Sequence, residues 1–419
     1  MRRALPFLVP AVLILAVLVL YPIGYTLVRS FFDAGGGSFV GVDNYRTMFT
    51  SPETLTAIRN NAIWVVVAPT IVTVLGLLFA VLTERMRWQT AFKAVVFMPM
   101  AISFLAAGVT WRMVYDADPD RGLANAAVVG VHDAFAPPSD YPGVRPRDGA
   151  GTTTTGDGNV ELPAAAGTVA LVPLVGLAPD KVPSGAVAAA PPDAGAGVRG
   201  VVWLDFATGG GGRQRAIDPA EKGLPGISVE AVRDGKVVGT AKTDGAGRFA
   251  FPELTGDGYT VRLPADNFAQ PFRGVDWLGP AVVTPAVIGT YLWIWAGFAM
   301  VMVAAGLAAL PRDTIEAARM DGASEWQVLS RITVPQLRPV LIVVLVTMVI
   351  NVLKVFDLVL VLAPEAVQAD ANVVALQMWR VSFGGARDYG LGSALGVLLF
   401  LLVLPAMLFN LRRLKREGT

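Results

Sequence analysis

The 419 residues contain no cysteine, which excludes disulfides and thiolate metal sites. Histidine occurs once, as His132 beside Asp133, and no nucleophile motif accompanies it, so the pair reads as structural rather than catalytic. No G-x-x-x-x-G-K-[ST] phosphate loop is present: Gly235-Lys236 lacks the upstream glycine and falls in a hairpin, so this chain does no ATP chemistry of its own. Charge is also scarce. Asp, Glu, Lys and Arg make up 16% of the chain, against about 25% in soluble proteins. Their near balance, a net +1, argues against nucleic acid as a partner.

Apolar residues are abundant, at 54% of the chain, so lipid has to supply much of the surroundings that a soluble core would otherwise provide. Runs long enough to cross a hydrocarbon layer of about 30 Å occupy 5–27, 62–82, 94–114, 281–307, 340–362 and 391–409. Each is expected to be a spanning helix. Arg2 and Arg3 precede the first, as in a signal peptide, but its apolar run exceeds a signal core and no A-x-A-like site follows, so it is expected to stay as an anchor. Cytoplasmic loops retain Lys and Arg. Arg2, Arg3, Arg85, Arg87, Lys93, Arg412, Arg413, Lys415 and Arg416 fall on one side, whereas Arg29, Arg46, Arg59, Arg380 and Arg387 fall on the other. This bias places both termini in the cytoplasm and residues 116–276 outside.

Residues 43–61 are too polar to span and are expected to form an outer loop with a short surface helix. From 116 to 276 the composition turns to Gly, Pro, Ala and Thr with scattered charges, which cannot lie in hydrocarbon. Residues 126–197 offer little periodic burial and are expected to be mostly irregular, with one strand at 168–177. Residues 198–275 carry short alternating segments at the spacing of an all-β domain: 201–205, 227–233, 236–242, 248–251 and 259–263. Asp234-Gly235 supplies the positive φ angles of a tight primed hairpin turn. The stretch T-D-G-A-G-R-F-A-F from Thr243, with Gly258-Tyr259-Thr260-Val261 and G-L-P-G-I-S-V from Gly223, resembles the B-type repeat domains of bacterial surface proteins, which implies a prealbumin-like sandwich. Some such domains bind calcium. Here a glycine run at 209–212 stands where acids would be wanted after Asp205, so calcium is not expected.

Residues 316–339, E-A-A-R-M-D-G-A-S-E-W-Q-V-L-S-R-I-T-V-P-Q-L-R-P, interrupt the apolar pattern with a charged segment. Asp313 can cap a helix that carries Glu316 in its first turn, where the helix dipole favours a carboxylate. Gly322 can end that helix in a left-handed conformation. Ser324 and Gln327 form a capping box for a second helix, which is expected to stop before Pro335. Ile315, Ala318 and Gly322 share one face of the first helix; Trp326, Leu329 and Ile332 share one face of the second. Taken alone, this pattern fits either a well-capped loop or a docking surface.

E-A-A-x-x-x-D-G-A-S-x-W followed by I-T-x-P-x-L-x-P closely resembles the coupling loop of binding-protein-dependent ABC importers, specifically the permeases of maltose and trehalose type. Gly41-Val42-Asp43-Asn44-Tyr45, Met98-Pro99, Trp111, Trp277-Leu278, Gly306-Leu307 and Leu310-Pro311 support the same resemblance, which covers all six helices and omits the insert. The resemblance implies that Glu316, Ala317, Ala318, Asp321, Gly322, Trp326 and Pro335 belong to a joint that docks on a separate nucleotide-binding ATPase. Glu316 would pair with a basic residue there. It also implies a second permease subunit, an extracytoplasmic solute-binding protein, a sugar substrate, and ATP with Mg on the ATPase, none of which is a cofactor of this chain.

Polar groups within a span face a bundle interior or a pathway. Asn351, Lys354 and Asp357 recur at every third position of the fifth run; they fit a pathway stripe, or an i,i+3 ion pair with a bridging amide. Tyr291, Trp293, Trp295 and Phe298 cluster around Gly297 in the fourth run, either as a sugar-stacking platform with room beside it or as an interfacial belt. Trp293, Trp295, Gly297, Asn351 and Asp357 are the candidate pathway residues.

The expected protein is therefore an all-α polytopic membrane protein with six transmembrane helices in the type I ABC importer permease fold, carrying an extracytoplasmic β-sandwich insert, in a bacterial cytoplasmic membrane. Its parts would be residues 1–125, 126–197, 198–275 and 276–419, with the coupling loop at 311–339. The rival readings are a membrane-anchored adhesion protein displaying the β domain, and a secondary transporter using Lys354 and Asp357 as an ion relay.

Overall fold

The computed structural model describes residues 5–84, 86–193, 195–206, 213–385 and 387–417. Arg2, Arg3, Arg85 and the glycine run 209–212 lie outside the described residues. The chain forms two compact units, one of Met1–Ala126 with Val275–Thr419 and the other of Ala127–Gly274.

The first unit is helical. Val9–Arg29, Pro52–Glu84, Val283–Ala308, Glu325–Leu353 and Tyr389–Leu408 are each long and apolar enough to cross a membrane. A sixth candidate is the broken pair Gln89–Ala101 and Phe104–Val114, whose halves meet at 104°. The expectation of one continuous helix over 94–114 is thus corrected. Pro99 offers no N–H donor, the chain tightens into a 3-10 turn over Met98–Ala101, and the Ser103 side chain accepts from Ala106 N at 3.2 Å to start a new helix.

The fifth run also differs from expectation, because the helix ends at Leu353 and a separate short helix, Asp357–Leu362, follows. Lys354 N turns back to Asn351 O at 3.2 Å, and Asp357 sits in the first turn of the new helix, where a carboxylate is favoured.

In lipid the approach of helices depends on small residues and close packing. Trp64, Ala68, Val72, Gly76 and Ala80 recur every fourth residue along Pro52–Glu84 and are buried. They meet Val283–Ala308, where Ala299, Met300 and Val303 are fully buried. A Cβ on Gly76 would stand 2.5 Å from Ala299 Cβ, so the crossing requires glycine there.

The second unit is a sandwich of two sheets built from β1 (Arg145–Pro146), β2 (Thr153–Thr154), β3 (Val160–Ala164), β4 (Val169–Val175), β5 (Val198–Leu204), β6 (Ser228–Arg233), β7 (Lys236–Lys242), β8 (Arg248–Phe251) and β9 (Tyr259–Leu263). One sheet has the order β1-β4-β5-β8 and the other β2-β3-β9-β6-β7. Their inner faces share a core that includes Val172, Leu174, Val202, Phe249, Val229, Val261 and Leu263. Asp234 and Gly235, with φ of 51° and 74°, make the hairpin turn between β6 and β7.

The strand expected at 168–177 forms as β4, and residues 126–197 hold more regular structure than that one strand. Leu123–Phe135 is a helix, and β1 to β4 belong to the sandwich. β4 pairs in parallel with β5, from Val169↔Arg199 to Leu174↔Leu204, and β3 pairs with β9. The partner of β3 is distant in sequence, and Pro163 inside β3 weakens its local signal.

Carboxylates gather at the end of β5. Asp205 forms an ion pair with Arg147 and accepts from Arg215 N at 3.0 Å. The buried Glu221 side chain accepts from Trp203 Nε1 at 3.0 Å and from Asp218 N at 3.1 Å. Burial, with Asp205 and Asp218 nearby, raises the Glu221 pKa above its ordinary 4.5. The folded carboxyl therefore holds its proton more tightly than the unfolded one. Its contribution to stability is complete below the unfolded value and is lost as pH rises through the raised folded value. Glu221→Gln keeps both acceptor contacts and removes the titration. Hydrogen exchange of the 198–204 strand in the full chain, corrected for intrinsic rate, should show protection that falls with pH in the parent and a flatter profile in the variant, with greater protection at neutral pH. Superimposable profiles would contradict this account.

Candidate functional site

The charged segment folds as two helices joined by a tight corner. The first, Arg312–Met320, follows Pro311 at the N-cap; Asp313 does not cap it and lies exposed in its first turn, which corrects the expectation. Proline's preset φ favours helix entry and leaves the cap without a side-chain acceptor.

At the other end Gly322 takes φ +81°, Ala323 N bonds to Ala318 O at 3.0 Å and Gly322 N to Arg319 O at 3.0 Å, which completes a Schellman ending. The capping box forms in full: Gln327 N donates to Ser324 Oγ at 3.3 Å, and Ser324 N to Gln327 Oε1 at 2.8 Å. Arg319 pairs with Glu325 at 3.2 Å across the corner.

The second helix does not stop before Pro335. Glu325–Val328 passes through a π-helical turn, Leu329–Thr333, into Val334–Leu353, so the span begins within the charged segment. Val334 N reaches back to Leu329 O, and the wider turn relieves the clash that the Pro335 ring would make in a regular helix.

Glu316, Ala317, Asp321, Gly322, Trp326 and Pro335 are exposed and Ala318 is half-buried. Met320 is 88% and Trp326 73% exposed, two large apolar side chains presented beside carboxylates on a rigid corner. Such a surface suits a protein partner better than water.

The second feature is a cavity of about 240 Å³ within the helical unit, lined by Phe104, Tyr291, Trp295, Asn351, Lys354, Val355, Phe356, Asp357 and Leu358. The two breaks described above build it, since Phe104 opens the helix after the first break and residues 354–357 form the second. Asn351, Lys354 and Asp357 do not form a stripe along one helix: Lys354 closes one helix and Asp357 opens the next, and the break turns all three toward the cavity.

Opposite them, the Tyr291 and Trp295 rings pack 5.9 Å apart, tilted by 35°, and their Oη and Nε1 are buried without a partner among the described residues. Trp64 stands edge-on to Tyr291 at 5.5 Å, and its Nε1 is likewise unpartnered. Its position in a long apolar run carried no signal of this role.

Trp295, Asn351 and Asp357 are thus brought together, whereas Trp293 and Gly297 are not. Trp293 packs edge-on to Trp111 at 5.6 Å. A Cβ on Gly297 would stand 2.2 Å from Val96 O, so the space beside this glycine is filled by backbone and does not open onto the cavity.

Asn125 was not singled out from the sequence, yet it is fully buried and makes five hydrogen bonds. Its Nδ2 donates to the carbonyls of Asp116 (3.0 Å), Ala117 (3.2 Å) and Val275 (3.0 Å), and its Oδ1 accepts from Val275 N (2.8 Å) and Trp277 Nε1 (2.9 Å). One amide thereby ties together the chain leaving the helical unit and the chain returning to it. A lone Asn inside L-A-N-A-A-V-V was the only available hint.

Residues 240–414 match the family described as binding-protein-dependent transport system inner membrane component. The osmoprotective compounds uptake permease of Synechocystis sp. is 29% identical over 98% of both chains. The alpha-glucoside transport system permease of Rhizobium meliloti is 27% identical over 98% of this chain and 82% of its own. The trehalose/maltose permease of Thermococcus litoralis is 36% identical over 34% of this chain and 49% of its own. Among solved structures, a bacterial ABC transporter involved in import of the acidic polysaccharide alginate shares the fold, with a TM-score of 0.56 at 16% identity over 98% of this chain and 96% of that one.

The packing of Gly297 separates two roles. Gly297→Ala forces a methyl against the Val96 carbonyl and should cost about 1–3 kcal/mol, read as a lower denaturation midpoint of the detergent-solubilised chain. Unchanged stability with impaired transport would instead put Gly297 in the pathway.

Proposed function

We propose that this chain, a permease subunit of a binding-protein-dependent ABC importer, carries a neutral sugar or glycoside, with α-glucosides the foremost class. The cavity carries the proposal. An aromatic wall of Phe104, Tyr291 and Trp295 shares the cavity with an amide, an ammonium and a carboxylate, a set that can stack on a sugar ring and exchange hydrogen bonds with its hydroxyls. The Lys354 and Asp357 charges balance, which disfavours a cargo of either sign. At roughly 30 Å³ per water the cavity holds the volume of about eight waters, enough for one ring at a time. The two relatives aligned along nearly the whole chain are named for osmoprotective compounds and alpha-glucosides, which agrees with this class.

In this reading the exposed corner around Glu316, Ala317, Ala318, Asp321, Gly322 and Trp326 docks on a separate ATPase that holds ATP and Mg. A second permease subunit completes the pathway. The termini lie in the cytoplasm, and residues 116–276 face an extracytoplasmic solute-binding protein. ATPase closure pushes on Trp326 and its neighbours at the start of the Glu325–Leu353 helix, and that same helix ends at the cavity residues Asn351 and Lys354, so one rigid element joins the two sites.

Uptake by proteoliposomes containing the chain with its cognate ATPase, second permease and binding protein tests both halves. Glu316→Lys with Gly322→Pro should abolish ATP-driven uptake while membrane insertion persists; normal uptake would remove the coupling role. Asp357→Asn and Asn351→Ala should each weaken transport about tenfold, the effect of losing roughly 1.4 kcal/mol of hydrogen bonding to cargo, with ATPase docking intact. Uptake sustained by an ion gradient without ATP would overturn the proposal.

A further inference from the structure

We infer that Asn60 is a positioning residue for the cavity: from a separate helix it holds the loop that follows the short helix Asp357–Leu362, and through that loop it places Asp357 and Leu358 in the cavity wall. The inference rests on the reading of that cavity as the cargo site. At six residues, Asp357–Leu362 is far shorter than the roughly 12–15 at which a helix begins to hold its shape unaided. The chain breaks at 354–356 just ahead of it. Its orientation therefore depends on the packing of Leu358, Val359 and Leu362, which are buried, and on the segment that follows, 363–373.

That segment is tied at three points. Near the helix, Gln368 reaches back, and its Nε2 donates to Leu360 O at 3.0 Å. In the middle, Asn60 Nδ2, from the Pro52–Glu84 helix, donates to Asp370 O at 2.7 Å and to Asn372 O at 2.8 Å. At the far end, the neighbouring Asn61 accepts from Val374 N at 2.7 Å, the first donor of the Val374–Phe383 helix. Asn60, Asn61 and Gln368 are all buried. An amide that only glues spans together bonds helix to helix. Asn60 instead directs its amide N–H groups at two loop carbonyls, and buried carbonyls need a donor. Without it the loop satisfies residues 370 and 372 only by shifting, and the shift passes through Gln368 and Leu360 into the cavity helix.

A Cβ built on Gly108, in the Phe104–Val114 helix, stands 3.1 Å from Val361 Cβ, a small adjustment from disulfide geometry. The chain has no native cysteine, so Gly108→Cys with Val361→Cys reports where Asp357–Leu362 lies without any cargo. Oxidation by copper phenanthroline, followed in the full chain in membranes as loss of maleimide-PEG labelling, should be about tenfold slower once Asn60→Leu is added. Gln368→Met, which cuts the tie to Leu360 with a side chain of similar shape, carries the same expectation and serves if Asn60→Leu does not insert. Oxidation at the parent rate in either inserted variant would overturn the inference. In the reconstituted importer, with maltose as the probe and no added cysteines, Asn60→Leu should also lower uptake per ATP hydrolysed. A residue that only supports folding would lower uptake and hydrolysis in proportion. An unchanged ratio in Asn60→Leu beside a lowered one in Asp357→Asn would therefore overturn the positioning role, whereas an unchanged ratio in both would remove the cavity reading and the inference with it.

Discussion

Hydrocarbon offers no hydrogen-bond partner to a backbone, and the organisation of this chain follows from that. Helices can satisfy themselves, so they span. A polar segment of some 150 residues cannot, so it leaves the helical unit and folds as its own sandwich. The chain is then left with two open ends, and Asn125 closes them with five bonds from one side chain. Where helices do break within the helical unit, over Met98–Ser103 and Lys354–Phe356, the freed backbone lies against other helices or the cavity. The same constraint that forbids irregular chain in lipid concentrates one break of the helices at the cavity.

In the proposed reading, coupling follows from rigidity. A Schellman ending, a full capping box and a cross-corner ion pair satisfy the groups that a sharp turn would otherwise leave unpaired, so the corner holds its shape without a partner. It also leaves Met320 and Trp326 in the open. The π-helical turn ahead of Pro335 lets the helix continue, and this continuation is what connects the corner mechanically to the cavity.

Local signals were legible where the physics is local. Gly322, Ser324 and Gln327 announced their roles because caps depend on residues within one turn, and Asp234-Gly235 did so because positive φ angles admit few residues. The Asp313 cap failed because proline at the entry displaced it. The 126–197 segment was legible only in part: the strand at 168–177 was expected and forms as β4, whereas β3 gains its burial from β9, across a distance no window of sequence covers, and Pro163 masked it. The grouping of Trp64 with Tyr291 and Trp295 likewise depends on helices from separate parts of the chain.

Composition and periodicity, which act through transfer free energy and hydrogen bonding within a turn, determined that the chain is a polytopic helical membrane protein with an inserted β region and a capped charged corner; the permease reading rests on the resemblance of the 316–339 motif. Tertiary structure alone decided where the spans break, which polar side chains meet, and which glycines are filled. Trp295, Asn351 and Asp357 share a cavity while Trp293 and Gly297 do not, although all five looked equivalent along the chain. The reason is that a side chain's place in a bundle depends on the crossing of helices far apart in sequence, and crossing geometry is set by pairs such as Gly76 with Ala299 rather than by either residue's neighbours.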